Sequence, residues 1–169
     1  ADFGAKIFKN GTPEGAEVID CKGNILCPGL LDIQVHLREP GQEHKEIIET
    51  GSKSAAAGGA TTIVCMPNTK PVIDSAALVE FVNNRARQSG YVNVRTYGAI
   101  TVGQKGEALT EMGFMKDAGA VGFTDDGLPV MNSLLMRRAM EYCSILDLPI
   151  AQHAEDLNLS NGGCMNEGP

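Results

Sequence analysis

The sequence predicts an α/β fold: a partial (β/α)8 TIM-like barrel, about the first five β/α units, preceded by a strip of a small β-domain. Short apolar runs rich in β-branched residues alternate with helical patterns, which is typical of a parallel sheet. The runs recur roughly every 25 to 35 residues, the size of one βαβ unit. Polar residues follow most of them. The runs are Leu30–Val35, Thr61–Met66, Val92–Ile100, Ala120–Phe123 and Leu148–Ala151.

The first 29 residues differ in pattern from the rest of the chain. They contain short extended pieces and turn-forming clusters at 10–13 and 22–24, without a helical period. We therefore expect residues 1–29 to be part of a small β-domain. Residues 30–169 are expected to form the N-terminal part of the barrel.

Three helices are predicted between the strands. The first covers Glu43–Ala57 and ends at a Gly58-Gly59 pair, since glycine commonly terminates helices. The second is capped by Asp74 or Ser75, and the third by Ser133. Their predicted inward side chains are Leu78, Phe81 and Val82 in the second helix, and Leu135, Ala139, Tyr142 and Leu146 in the third.

Composition limits the classes of protein. The chain has 169 residues, of which 43% are hydrophobic and 20 are glycine, enough for one globular core. With 14 basic and 21 acidic residues the net charge is −7, so we expect no nucleic-acid partner and no anionic membrane surface. The five cysteines are odd in number and show no C-x-x-C spacing, which favours a reduced, cytoplasmic protein. No apolar run approaches the ~20 residues that span a bilayer.

The polar residues that follow the strands predict a functional site. They are Gln34, His36 and Arg38 after the first run, 67–69 after the second, 124–127 after the fourth and 152–155 after the fifth. Catalytic groups of α/β barrels and open sheets collect at the carboxyl ends of the strands, so these residues are expected to converge. Imidazole and carboxylate groups are ligands for zinc and similar ions. The planar fork of Arg38 suits a carboxylate ligand.

Each group also has a structural interpretation. A single histidine after a strand, such as His36 or His153, is more often a hydrogen-bonded structural residue. The stretch Asp125-Asp126-Gly127 by itself favours a turn. Arg38 and Glu39 form a surface ion pair in this interpretation, and Pro67-Asn68 is a loop start. The functional interpretation is favoured because polar residues fall at the same end of at least four runs.

Seven segments together carry a family resemblance. They lie at 27–32, 35–41, 49–62, 65–71, 123–127, 152–156 and 166–168. In this order they resemble dihydroorotases of the amidohydrolase superfamily, specifically the class I type of bacteria and multifunctional pyrimidine-synthesis proteins. The resemblance covers nearly the whole chain. Related hydantoinases and allantoinases usually place a carboxylated lysine after the fourth strand, where this chain has Asp125-Asp126-Gly127, so dihydroorotase is favoured.

The resemblance implies a metal-dependent cyclic amide hydrolase. The implied reaction is the reversible cyclisation of N-carbamoyl-L-aspartate to L-dihydroorotate in de novo pyrimidine biosynthesis. The implied metal ligands, for one or two zinc ions, are His36, Asp126 and His153. Asp126 is preferred to Asp125 because it lies 27 residues before His153, in agreement with the family spacing. Arg38 and Asn68 correspond to residues that hold the substrate carboxylate.

The chain departs from the family pattern in two ways. Gln34 occupies a position that is usually histidine, and its neutral amide oxygen should hold zinc more weakly. Only five strand units are present, whereas an eightfold barrel typically needs about 250 residues. The family's general-base aspartate and a further histidine ligand are expected beyond Pro169. This chain alone is therefore expected to be an incomplete, inactive fragment.

The expected partners follow from these departures. They are the small-molecule substrate, the missing C-terminal segment, and either a second copy in a homo-oligomer or aspartate transcarbamoylase. The alternative function is an inactive dihydroorotase-like pseudoenzyme that serves as a structural partner of aspartate transcarbamoylase, which Gln34 favours. A hydantoin or allantoin hydrolase is the third interpretation.

Overall fold

The computed structural model describes residues 4, 8 and 11–165 of the chain. Five strands form one sheet in the order β1-β2-β3-β4-β5, and every neighbouring pair is parallel. The strands are β1 Leu30–Val35, β2 Ala60–Cys65, β3 Asn93–Gly98, β4 Ala120–Thr124 and β5 Ile150–Ala151. Strands that follow one another both in sequence and in space make the partial (β/α) barrel that the sequence predicts, and this prediction is confirmed.

Helices connect the successive strands. They are α1 Ile48–Ala57, α2 Ala76–Ser89, α3 Met112–Asp117 and α4 Ser133–Leu146, with a short α5 Leu157–Ser160 after the last strand. A 3-10 turn, Val102–Gln104, precedes α3. The sequence pattern did not predict α3 or α5, because six and four residues are too few to display a helical period.

The first helix is shorter than predicted. Glu43–Lys45 form turns, and α1 begins only at Ile48. Its first N–H group is satisfied by a distant side chain, because Ile48 N donates to Glu39 Oε2 at 3.0 Å. The predicted end is confirmed: Gly58 is the C-cap, and Gly59 adopts a φ of +86° that favours glycine.

The predicted caps and helix faces are partly confirmed. Ser75 is the N-cap of α2, although its side chain makes no capping hydrogen bond. The N-cap of α4 is Asn132 and not Ser133, since the Asn132 side chain accepts hydrogen bonds from the backbone N–H groups of two residues in the first turn. Phe81 is 39% exposed and does not face the core as predicted, because Val79 and Val82 define the buried face. The four predicted inward residues of α4 pack against the core.

The core lies between the sheet and the helices. Its largest buried side chains include Phe123, Ile63 and Ile100 from the sheet region and Met112 and Met115 from α3. A second, smaller cluster contains Val64, Met66, Tyr97 and Val121. Two clusters are expected for barrel strands, because alternate side chains point towards the helices and towards the barrel interior.

Two parts of the prediction receive no support from secondary structure. Residues 11–29 contain turns and extended chain but no strand, so the small β-domain stays a prediction. The motif at 166–168 lies outside the described residues. Within the described part of the chain, no helix is long and apolar enough to cross a membrane.

Candidate active site

The carboxyl ends of four strands surround a small cavity. It has a volume of about 120 Å³ and is bounded by side chains from the ends of β1, β2, β4 and β5. Its lining residues are Gln34, Met66, Thr124, Asp126, Ala151, Gln152 and His153. The predicted convergence of polar residues at one sheet edge therefore occurs for Gln34, Asp126 and His153.

Asp126 is the centre of the hydrogen-bond network in this region. Its side chain is 11% exposed. Gln34 Nε2 donates to Asp126 Oδ1 at 3.2 Å, and Asn68 Nδ2 donates to Asp126 Oδ2 at 2.7 Å. The network joins residues that are 92 and 58 positions apart in the sequence. Asp126 thus ties the ends of β1 and β2 to the end of β4.

The hydrogen bond to Asn68 selects one tautomer of neutral His36. Its amide nitrogen donates to Asp126, so its carbonyl oxygen is the atom that lies 3.2 Å from His36 Nδ1. A carbonyl oxygen accepts only, and a neutral His36 must therefore carry its proton on Nδ1. The lone pair is left on Nε2, which lies 3.7 Å from Asp126 Oδ2. Two electron-pair donors consequently face each other.

This pair fits a divalent metal ion in chemistry and in spacing. Two ligands about 2.1 Å from one tetrahedral zinc ion lie about 3.4 Å from each other, close to the separation of His36 Nε2 and Asp126 Oδ2. The hydrogen bond from His36 Nδ1 to Asn68 is the kind of outer contact that orients a histidine ligand. No group of three or more His, Cys, Asp or Glu side chains within the described ranges is arranged to hold a metal. A metal ion held by His36 and Asp126 would therefore require further ligands.

His153 lines the same cavity but makes a different contact. Its Nε2 atom lies 3.2 Å from Glu155 Oε2, and both side chains are substantially exposed. Two hydrogen bonds lower the pKa of the Glu155 carboxyl below its ordinary value. The bond from Ser160 has the larger effect, and the bond from His153 has the smaller one. His153 makes no hydrogen bond to Asp126 in the described residues. The structure therefore brings the third predicted ligand to the cavity, where it is hydrogen-bonded to Glu155.

Arg38 lies on the loop that follows β1, which we define as residues 36–47 and call the β1–α1 loop. The residue is partly buried and has a φ of +57°. This left-handed conformation is uncommon for a side chain larger than glycine. Asn68, the other residue predicted to hold a substrate carboxylate, is engaged with His36 and Asp126. Its predicted substrate contact stays a prediction.

The surface ion pair between Arg38 and Glu39 does not occur. Glu39 is buried, with 5% exposure, and accepts a hydrogen bond from Arg85 Nε of α2 at 2.6 Å. Its other oxygen accepts from Ile48 N at the start of α1. Local sequence gave no indication of this contact, because Glu39 and Arg85 are 46 residues apart.

Asp125 and its neighbour Asp126 have different surroundings. Asp125 is buried and accepts hydrogen bonds from Ile100 N, Thr101 N and the Thr101 hydroxyl. Burial raises the pKa of the Asp125 carboxyl, and these hydrogen bonds act against the increase. A turn is also present, as Leu128 N donates to Asp125 O. Asp125 thus fixes the loop after β3, while Asp126 faces the cavity, which supports the preference for Asp126 as candidate ligand.

Comparison with known proteins identifies the family. Residues 23–169 match the family described as dihydro-orotase-like. This chain belongs to the dihydroorotase-like family. It is 60% identical over 168 residues to a dihydroorotase from Wolbachia sp. subsp. Brugia malayi, covering 99% of this chain and 38% of that protein. It is 60% identical over 168 residues to a dihydroorotase from Ehrlichia chaffeensis, covering 99% of this chain and 37% of that protein.

A solved structure supports the same fold. The L-hydantoinase (dihydropyrimidinase) from Arthrobacter aurescens has a TM-score of 0.69 and 26% identity to this chain, covering 80% of this chain and 31% of that one. This dihydroorotase-like chain spans a little over a third of the length of the curated relatives named here.

Proposed function

We propose that this chain is the N-terminal part of a dihydroorotase, which interconverts N-carbamoyl-L-aspartate and L-dihydroorotate in pyrimidine biosynthesis. The observation that carries the proposal is its 60% identity to a dihydroorotase over 99% of its length. The convergence of His36, Asn68 and Asp126 at the carboxyl ends of the strands supports a site of this kind. The higher identity to dihydroorotases than to a hydantoinase favours this activity over hydantoin hydrolysis.

The proposal includes one or two zinc ions. His36 Nε2 and Asp126 would hold an ion, with His153 as a further ligand from the end of β5. When bound, such an ion polarises a carbonyl group and makes water more acidic. Asn68 contributes by keeping the His36 proton on Nδ1 and by holding the Asp126 carboxylate in place.

The substrate contact is assigned to Arg38. Both N-carbamoyl-L-aspartate and dihydroorotate carry carboxylates, and a guanidinium group binds a carboxylate through two parallel hydrogen bonds. Asn68 is proposed as a second contact, which requires a partial rearrangement of its present hydrogen bonds. The general base is proposed to come from strands of the complete barrel beyond β5.

The proposed partners and location are those predicted from the sequence. We propose that a polypeptide longer than this chain closes the barrel, in line with the part of the relatives that the chain spans. Association with a second copy or with aspartate transcarbamoylase and a cytoplasmic location stay predictions. Five free cysteines are compatible with a reducing compartment. Gln34 favours the pseudoenzyme alternative at the level of the sequence, but the comparisons with known proteins give that alternative no support.

The decisive experiment compares the three histidines of the chain. We expect the full-length polypeptide that carries this chain to convert N-carbamoyl-L-aspartate to dihydroorotate and to contain zinc. Removal of a metal ligand should cost several kcal/mol of transition-state stabilisation, so His36→Ala and His153→Ala should reduce kcat/KM by at least about a hundredfold. The measurement is turnover together with metal content by elemental analysis.

His44→Ala is the matched control. His44 lies in an exposed turn of the β1–α1 loop, outside the cavity. This variant should keep wild-type turnover and metal content. A wild-type protein without turnover and without metal would contradict the proposed enzyme and support the structural role. Equal losses in all three variants would contradict the assigned site.

A further inference from the structure

We propose that the ion pair between the buried Glu39 and the partly exposed Arg85 positions Arg38 for binding of the substrate carboxylate. This inference rests on the proposed function, because it assigns Glu39 and Arg85 to the support of the residue that we propose as the carboxylate contact. Neither residue was among the predicted site residues. Both are positioning residues, since they act through Arg38.

The first argument is the place of Glu39 in the chain. It directly follows Arg38 and is buried, whereas Arg38 is only partly buried. Leu37, on the other side of Arg38, is also buried, with 3% exposure. Arg38 is therefore held between two anchored neighbours, and its backbone has little freedom to move.

The second argument is that Glu39 joins three elements. One carboxylate oxygen accepts from Ile48 N at the start of α1, and the other accepts from Arg85 Nε on α2. The Arg85 side chain is 39% exposed, so solvent reaches the pair at Arg85 but not at Glu39. A charged group that is buried requires such partners, because an uncompensated buried carboxylate is strongly unfavourable. The pair thus fixes the loop against both helices.

The third argument is the hydrogen bonding of the same loop. Glu39 N donates to Leu37 O at 2.7 Å, and Gln42 N donates to Arg38 O at 3.0 Å. These bonds hold the left-handed backbone of Arg38 from both sides. A strained conformation of this kind persists only when its surroundings determine it.

The loop is also held against its neighbour after β2. Lys70 N donates to Pro40 O at 3.1 Å. A Cβ atom at Gly41, which has a φ of +88°, would lie 1.6 Å from Lys70 O, so the two loops approach as closely as a glycine permits. Asn68 lies on this second loop. The contact therefore joins the two loops that carry Arg38 and Asn68, the two proposed carboxylate contacts.

The test uses Arg85→Gln, which removes the guanidinium charge and leaves a shorter, neutral amide. In the full-length polypeptide we expect KM for N-carbamoyl-L-aspartate to rise about tenfold with kcat within about twofold, because only binding of the carboxylate is affected. Arg38→Ala should raise KM at least as much. The double variant should be no worse than Arg38→Ala, since Arg85 acts through Arg38.

A surface ion pair of the same type provides the control. Arg137 Nε donates to Glu141 Oε1 at 2.9 Å on the exposed face of α4. Arg137→Gln removes the same kind of contact far from the loop and should leave KM and kcat unchanged. An unchanged KM in Arg85→Gln, or additive effects in the double variant, would overturn the positioning role.

A second readout is independent of turnover. Trypsin cleaves after arginine, and a fixed loop resists cleavage between Arg38 and Glu39. We expect Arg85→Gln and Glu39→Gln to speed this cleavage about tenfold, whereas Arg137→Gln has no effect. If the wild-type protein lacks turnover, the proposed function fails, and the cleavage rate alone decides the positioning role: equal rates in wild type and variants overturn it.

Discussion

Gln34 makes a hydrogen bond at a position where the family resemblance implies a metal ligand. Its amide nitrogen donates to Asp126 Oδ1, at the site where the resemblance implies a histidine ligand. The amide thus satisfies one oxygen of the carboxylate with a proton donor. An imidazole with a lone pair directed at the same region would instead favour a cation. If the proposed metal site is present, we therefore expect the identity of residue 34 to set how strongly it binds the ion.

We expect Gln34→His to bind zinc more tightly. The change adds a borderline-soft nitrogen ligand beside His36 and removes a hydrogen bond that competes for Asp126. Affinity should rise by on the order of tenfold, comparable to the effects of altered contacts around metal ligands. The measurement is the zinc dissociation constant, obtained by competition with a chelator.

Gln88→His is the matched control for this change. Gln88 is exposed on α2, outside the cavity, so the new histidine there should leave zinc affinity unchanged. Equal affinities of Gln34→His and the wild-type protein would contradict the assignment of residue 34 to the metal site.

At the scale of elements, Asn132 is the residue that defines the start of α4. Its Oδ1 atom accepts from Leu134 N and Leu135 N, both at 3.1 Å. Replacing an N-cap asparagine with alanine typically costs about 1 kcal/mol of stability. Asn132→Ala should therefore lower the free energy of unfolding by about this amount. The measurement is urea denaturation of the full-length polypeptide.

Ser133→Ala distinguishes the observed cap from the predicted one. Ser133 is the first helical residue, where alanine has the higher helix propensity. This variant should match or slightly exceed the wild-type stability. A loss in Ser133→Ala equal to that in Asn132→Ala would contradict the assigned cap.

The sequence predicted the strands better than the helix boundaries, for a physical reason. β1 is predicted at its observed bounds, because its residues form a short, largely apolar segment that is typical of a strand. The start of α1 depends on Glu39, which is remote in sequence from the first residue of the helix. Local patterns carry no information on such contacts. The same limit applies to the cap of α4, where either of two adjacent polar residues satisfies the pattern.

The sequence predicted the position of the candidate site but not its atomic contacts. The polar residues at the strand ends predicted the position of the cavity, because parallel strands bring their carboxyl ends to one edge. The sequence gave no indication of which atoms meet. Asn68 was assigned to a substrate, yet in the structure its amide joins His36 and Asp126. The separate surroundings of Asp125 and Asp126 likewise depend on the distant Thr101.

At the scale of the whole molecule, cysteine burial divides the thiols into classes. Cys27 and Cys164 are exposed, Cys21 is intermediate, and Cys65 and Cys143 are buried. Burial raises the pKa of the Cys65 thiol to about 11, and it also raises the pKa of Cys143. Because the thiolate is the reactive form, both buried thiols stay neutral at pH 8 and are also shielded from reagents.

Thiol labelling of the folded protein at pH 8 should follow these classes. Within the described part of the chain, Cys27 and Cys164 should react fast with a disulfide reagent, while Cys65 and Cys143 should react only after denaturation. Mass spectrometry of labelled peptides measures the extent at each position. Fast labelling of Cys65 in the native protein would contradict the packing of β2 against its neighbours.

The β1 edge of the sheet exposes apolar side chains. β1 and β5 each pair with one neighbour in the described residues. The apolar side chains of Leu30, Leu31 and Ile33 on β1 are each more than half exposed, beside a hollow of about 740 Å³. Exposed apolar edges are unfavourable for an isolated sheet. This agrees with the proposal that a longer polypeptide completes the barrel.

The strand order has a consequence for how the molecule is made. Each strand pairs with the one that precedes it in the chain, so a ribosome delivers every new unit to an edge that already exists. Assembly can then proceed in the direction of translation. Within the described sheet, each strand after β1 finds a pairing partner that has already been synthesised. The loops after β1 and β2 and the α2 residue Arg85 all precede β3 in the chain, so the parts that hold Arg38 and Asn68 are synthesised before β4 and β5.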